Sequence, residues 1–277
     1  MSFDYEQSIW GQGTAKKRWT DSTSFRLHQA LSALSHLKAG DMVLEIGCGA
    51  GQFIRAIKKY RSDLQYSGCD ISTSALSRAD QYRDGVQYDL SQAQSLPYED
   101  NYFQAVLIFD VLEHVEDPRT MLAQAKRILK KDGILHCFVP CEADKLSLWY
   151  WLKKIKIKSD LTERYAGHIH KFSRQSLKDL LINHGFEIIQ SRYSSHCLGQ
   201  WLDLVVFLAM DRSCRRTRQD QMNNEQFFKE YDKDRGRIFF IFKRLINWLI
   251  NLENWLFSRL PSSNVHITSM VLKENIK

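Results

Sequence analysis

Five apolar strands alternating with amphipathic helices from Asp41 to Pro140, with two more strand-like runs after them, predict an α/β fold, a mostly parallel seven-stranded sheet with helices on both faces. A long helical stretch and one further strand-like run, HITSMVLKE, predict a C-terminal helical insertion before the last strand. The 277 residues suit one full-sized α/β domain with such additions.

Residues 1–20 mix aromatics, glycines and lysines and read as an irregular N-terminal arm. Asp21 to Ser24 offer caps for a helix whose Leu27, Ala30, Leu31, Leu34 and Leu37 form one apolar stripe, ended by Gly40. DMVLEIG is the first strand, a helix over 51–60 leads to LQYSGCD, and a helix over 72–82 leads to GVQYDL and then YFQAVLIFD. The next helix starts at Asp117-Pro118, carries Met121, Leu122, Ala125, Ile128 and Leu129 on one face, and stops at Gly133 before GILHCFVP. After Pro140 the pattern changes: DKLSLWYWLKKIKIKSDL interleaves aromatics with lysines, and GHIHKFS follows. Ser173 caps a helix ended by Gly185, FEIIQSRYSS is a strand, and residues 198–260 are mainly helical around a polar stretch, DRSCRRTRQDQMNNEQ. The expected organisation is an arm over 1–20, a main domain over 21–197 plus 262–277, and an insertion over 198–261 that serves as lid, dimer surface or membrane contact.

The hydrophobic share of 44% and charged share of 26% are those of a globular protein, while the net charge of +7 favours anionic partners such as phosphates, nucleic acid or anionic lipid headgroups. Six scattered cysteines without a CxxC pair point to a reducing compartment. MSFDYEQSIWGQG has neither the basic start nor the apolar stretch of a secretory signal, and no window reaches the roughly 20 apolar residues of a spanning helix. A cytoplasmic protein is expected, at most peripheral on the inner face of a membrane.

VLEIGCGAGQF, Val43 to Phe53, is a strand that breaks into glycines and opens a helix, a setting for a nucleotide-like ligand. Gly47, Gly49 and Gly51 follow GxGxG, and Gln52 stands where a dinucleotide fingerprint has its third glycine. Glu45 lies inside this strand, Asp70 ends the next and Asp89 the one after, which offers groups for an amino acid end, a ribose and a base. With these residues the span from about Leu37 to Ser195 resembles the class I S-adenosylmethionine-dependent methyltransferases, whose fold is Rossmann-like. FDVLEHVEDP and GHIHKFSRQSLKDLLINHGFEII resemble the branch containing the ubiquinone-biosynthesis O-methyltransferases. The resemblance implies S-adenosylmethionine as cofactor and S-adenosylhomocysteine as product. It assigns the methionine part to Glu45 and the Gly47–Gly51 loop with Cys48, the ribose to Asp70, the adenine to Ile71, Asp89 and Leu90, and a further cofactor contact to Asp110. It also brings Arg26 of SFRL to the cofactor carboxylate, although the Asn-Pro that precedes this arginine in that branch is absent here.

Methyl transfer from a sulfonium asks the protein for alignment and, with an oxygen nucleophile, for a base. His114, just past the fourth strand, and His168 and His170, after the fifth, are the candidates for base or substrate ligand. His168-x-His170 is not a metal motif by its local spacing, and no metal is expected. Cys141 after Pro140 is placed like the nucleophile of RNA cytosine methyltransferases, but the companion Pro-Cys is replaced by Asp110-Val111. The Asn/Asp-Pro-Pro-Tyr signature of amide methylation is also missing, which argues against nucleic acid.

Trp149, Tyr150, Trp151, Lys153, Lys154, Lys156 and Lys158 form a basic aromatic patch suited to an anionic membrane surface. Ile238, Ile241, Phe242, Leu245, Trp248, Leu249, Leu252, Trp255 and Leu256 make an apolar helical face opposed by Lys243, Asn247, Asn251 and Asn254. This face packs on the domain, on a second copy in a homodimer, or on a membrane. Two functions remain open: a methyltransferase for a small or lipid-linked acceptor at oxygen, nitrogen or carbon, and a membrane-peripheral assembly factor that binds the cofactor without catalysis.

Overall fold

The computed structural model describes residues 5–6, 9–13, 15–157, 160–217, 225, 227–228 and 237–272. Lys158, the side chain of Ile238, Arg218 to Asn224 and Gln226 of the polar stretch, and the Lys273-Glu274 end of the last strand-like run therefore lie outside the described residues. Seven strands, β1 (Met42–Ile46), β2 (Gln65–Asp70), β3 (Gln87–Leu90), β4 (Phe103–Phe109), β5 (Leu129–Pro140), β6 (Phe186–Ser194) and β7 (Asn264–Val271), form one sheet in the order β3-β2-β1-β4-β5-β7-β6. The first five pair in parallel and β7 runs antiparallel to β5 and β6.

Helices cover both faces, as the alternation predicts. On one face α4 (Pro118–Ile128) and α7 (Arg174–Asn183) bury Met121, Leu122, Leu177 and Leu181 against Leu44, Val106 and Leu135. On the other, α1 (Ser24–Ala33) and α2 (Gln52–Tyr60) bury Leu27, Ala30, Ile54 and Ile57 against Val43 and Leu107. The cap signals read from sequence hold at two helices: Asp117 accepts the Arg119 N–H ahead of Pro118, and Ser173 and Ser176 form a reciprocal capping box. α3 (Thr73–Asp80) is capped by Ser72, which accepts the Ala75 N–H.

Three boundaries differ from the sequence reading. α1 ends at Ala33, because its last turn tightens and Arg61 donates to the freed carbonyls of Leu34 and Leu37. The helix expected to run to Gly133 ends at Ile128, where Leu129 turns extended and pairs with Phe103 as the start of β5. The polar stretch begins as helix: α8 (Cys197–Thr217) runs into it as far as Thr217, because Met210 and Cys214 pack on Leu161 and Tyr165 of α6 (Leu161–Ala166), and Tyr165 donates to Asp211 at 3.0 Å. α5 (Leu148–Lys154) precedes α6, while α8 and α9 (Arg237–Phe257) form the insertion between β6 and β7.

Candidate active site

β1 and β4 are neighbours, but their crossovers leave in opposite directions, and this reversal opens a crevice at the carboxyl ends of the strands. A cavity of about 1630 Å³ occupies it, walled by the glycine loop, the ends of β2, β4 and β5, the N-terminal arm, and α8 and α9.

The loop after β1 needs its glycines for backbone reasons. Gly47, Gly49 and Gly51 have φ of 73°, 52° and 76°, and a Cβ would meet Val111 Cγ2 at 2.3 Å, the Trp10 carbonyl oxygen at 2.6 Å and the Tyr88 hydroxyl at 2.5 Å respectively. Its amide groups are taken up within the chain and are not free for a ligand. Gly47 and Cys48 donate to the Cys69 carbonyl, Gly49 to Asp70, Ala50 to the Trp10 carbonyl and Gly51 to the Cys48 carbonyl. A phosphate cradle is thereby excluded, whereas a cationic, phosphate-free ligand fits, because acids rather than amides face the space.

Glu45 is buried at 2% exposure and accepts the Ile54 N–H at 2.9 Å; burial pushes its carboxyl up to about 8. Asp70 accepts Gly49 N–H at 2.7 Å and Ser72 N–H at 3.0 Å, and burial raises it as well. Asp110, in the left-handed region at φ 51°, forms an ion pair with Arg26, whose guanidinium lies 3.6 Å above the Phe138 ring. Sequence reasoning placed both on the cofactor; the structure pairs them with each other at the cavity wall.

The wall beyond β4 and β5 carries the imidazoles. His114 Nδ1 lies 3.1 Å from the Gly167 carbonyl, and burial lowers this ring to about 3. His168 Nδ1 lies 2.5 Å from Glu142 Oε1, and Glu142 accepts Thr162 Oγ1 at 2.8 Å. That contact holds Glu142 below the usual carboxylate range and His168 above the usual imidazole range. Cys141 is buried with its thiol pushed far up, which disqualifies it as a nucleophile.

Of the residues singled out in sequence, Arg26, Glu45, Gly47, Cys48, Gly49, Asp70, Ile71, Asp110, His114 and His168 line the cavity. Gly51, Asp89, Leu90 and His170 do not. Gly51 is occupied by Tyr88, Asp89 accepts the Tyr98 hydroxyl at 2.9 Å, and Leu90 is exposed. The His170 Nε2 is turned to the Glu116 carbonyl at 3.2 Å. Sequence reasoning missed Trp10, Glu142 and Asp203. The last is a lone acid within the apolar run of α8, and desolvation lifts it to about 7. That solitary carboxyl in WLDLVVFLAM was the available signal; nothing local marked Trp10 or Glu142.

The model of the methyltransferase domain family matches residues 17–191, and the chain belongs to this family, whose cofactor is S-adenosylmethionine. It is 31% identical over 145 residues to the 27-O-demethylrifamycin SV methyltransferase of Amycolatopsis mediterranei, an alignment covering 48% of this chain and 53% of that protein. The chain thus spans about half the length of that relative. An uncharacterized methyltransferase of Schizosaccharomyces pombe is 29% identical over 217 residues, 71% of this chain and 77% of its own. In fold, the crystal structure of the 4+2 cyclase SpnF matches with a TM-score of 0.60 at 19% identity, covering 96% of this chain and 87% of that one.

Proposed function

We propose that the protein methylates an oxygen of a lipid-linked acceptor while bound peripherally to an anionic membrane. Glu45, Asp70 and the Gly47–Gly49 segment hold S-adenosylmethionine, which supplies a methyl group already activated on a sulfonium. The chain's own task is alignment and management of the acceptor's proton. His114 and His168 line the same cavity and are assigned to the acceptor oxygen, and the oxygen-methylating relative supports that choice of atom.

The observation that carries the membrane part is the orientation of α9. A surface helix normally buries its apolar stripe. Here the polar side is turned inward: Asn251 and Asn254 are buried, Asn247 and Asn251 donate to the carbonyls of Thr20, Trp19 and Asp21, and Asn254 accepts the Ser195 N–H. Ile241, Phe242, Trp255 and Leu256 are left 66%, 59%, 56% and 57% exposed. Trp151, Ile155 and Ile157 are exposed as well, interleaved with Lys153, Lys154 and Lys156. Each large apolar side chain taken out of water contributes roughly 1.5–3 kcal/mol, and each lysine near an anionic surface roughly 1 kcal/mol. Asn247 and Asn254 also line the cavity, so α9 stands between the proposed lipid surface and the site. No helix among the described residues is long and apolar enough to cross a membrane.

Co-sedimentation tests this reading. Binding to vesicles containing phosphatidylserine, weakened by salt, is expected to fall at least about tenfold in the pair Ile241→Asn and Phe242→Asn. Binding indifferent to these substitutions would remove the membrane reading, and a dimer dissociated by them would assign the same face to a second copy.

Glu45 gives a prediction with two opposite signs. Its folded value of about 8 lies above the ordinary 4.5, so the folded state holds the extra proton between those limits. Stability is therefore fullest at low pH and declines as pH rises from about 4.5 to about 8. Glu45→Gln is expected to raise stability at pH 7 by up to about 3 kcal/mol and to weaken S-adenosylmethionine binding. Denaturant unfolding at pH 5 and pH 8 checks the first, since the advantage of the variant must widen with pH.

A further inference from the structure

Glu113 is 0% exposed, and among the described residues neither of its carboxylate oxygens has a hydrogen-bond partner. A buried carboxyl left in that state costs several kcal/mol, so something must oppose those oxygens. His114 Nε2 lies 4.0 Å from Glu113 Oε1, and donor atoms of Glu113, His114 and His168 all fall within 4.8 Å of one another. Both rings are fixed from behind through Nδ1, His114 on the Gly167 carbonyl and His168 on Glu142. A ring whose Nδ1 donates to a carbonyl or carboxylate presents a bare Nε2 lone pair, and such an outer hydrogen bond is the usual companion of a metal-bound imidazole.

We propose that Glu113, His114 and His168 bind one divalent ion of the zinc class, with Glu142 and the Gly167 carbonyl as its outer support. Two imidazoles and one carboxylate suit Zn²⁺, Fe²⁺ or Co²⁺, whereas Mg²⁺ takes an oxygen shell. Tetrahedral Zn²⁺ with bonds of about 2.0–2.1 Å sets its ligand atoms roughly 3.3 Å apart, so small side-chain rotations close the triad. Three protein ligands would leave a coordination position for a further group, and two of the three, His114 and His168, line the cavity. The role of the ion rests on the methyl-transfer reading: bound by these three residues, it would supply Lewis-acid stabilisation to the acceptor hydroxyl as that group gives its proton to water. The donors come from the loop after β4 and the loop after α6, so spacing along the chain does not reveal them.

Titration of the metal-stripped, full-length protein with Co²⁺ and Zn²⁺ tests the site. The expected result is one ion per chain, a visible Co²⁺ spectrum without a thiolate band, and a rise in melting temperature on adding Zn²⁺. Glu113→Gln and His168→Ala, confirmed as folded by circular dichroism, should each weaken Co²⁺ binding at least about 100-fold, and Glu142→Gln about 10- to 100-fold. His170→Ala, on the same loop but outside the cavity, should leave it unchanged. Absence of saturable binding, binding untouched by Glu113→Gln and His168→Ala, or a thiolate band assigning the ion to a cysteine would overturn the proposal. Tight metal binding by a protein that transfers no methyl would overturn the methyl-transfer reading alone; full-rate transfer by a protein that binds no metal would overturn this one alone.

Discussion

Asp70→Ala is expected to reduce S-adenosylmethionine binding by at least about 100-fold, to the limit of calorimetric detection. Two losses combine. The carboxylate itself is removed from the position the family resemblance gives to the ribose, where each charge-assisted hydrogen bond contributes roughly 1.5–3 kcal/mol. Its other duty is to anchor the glycine loop, because it accepts Gly49 N–H at 2.7 Å and Ser72 N–H at 3.0 Å. With those donors orphaned, the tight φ > 0 turn loses its fixed shape at a cost of roughly 1–3 kcal/mol each. Asp70→Asn retains one acceptor and should fall between wild type and alanine. Equal affinity in all three proteins would remove Asp70 from the cofactor site.

The second large effect is expected on turnover. His168→Ala should lower kcat by about 10²–10⁴-fold while leaving S-adenosylmethionine affinity within a factor of about three. His168 lines the cavity on the wall beyond the ends of β4 and β5, makes no hydrogen bond to Glu45 or the glycine loop among the described residues, and has its Nδ1 committed to Glu142. The substitution leaves Glu142 with Thr162 Oγ1 at 2.8 Å and Lys171 Nζ at 3.9 Å, so the fold should survive with a modest stability loss. A separate melting curve distinguishes that loss from the kinetic one. Unchanged turnover in both His168→Ala and His114→Ala would remove the imidazoles from the reaction.

The sheet was legible in the sequence because each strand from β1 to β5 ends in a recognisable punctuation, a glycine turn, an acid or a proline, and each helix between them carries a one-sided apolar stripe. The glycine loop was legible for the same reason: φ > 0 at Gly47, Gly49 and Gly51 demands that residue type. Its hydrogen bonding was not, since the acceptor for Ala50 N–H is the Trp10 carbonyl of the arm, a contact no local pattern encodes. The end of α4 was misjudged because Leu129 continues the helical stripe in sequence while pairing with Phe103 in space. Long-range pairing overrode local periodicity there.

At the site the same division holds. The places of Asp70 and Glu45 on the cavity wall follow from strand position, but Glu142 reaches His168 only after β5 and α6 are packed together. Asp89 lies outside the cavity lining, and its carboxylate accepts the Tyr98 hydroxyl, a contact that its place at a strand end does not reveal. For α9 the stripe was read correctly and its direction was not given, since amphipathicity tells which residues share a side and not which side meets the protein. The buried Asn251 and Asn254 settle that direction.

The most direct test of the central claim is transfer of labelled methyl from S-adenosylmethionine into a cell extract separated into lipid and aqueous fractions. The account predicts label in the lipid fraction, on oxygen, with wild-type protein and none with Asp70→Ala. Label confined to the aqueous fraction would contradict the lipid-linked acceptor, and label in neither fraction from a protein that binds the cofactor would contradict the assignment as a methyltransferase.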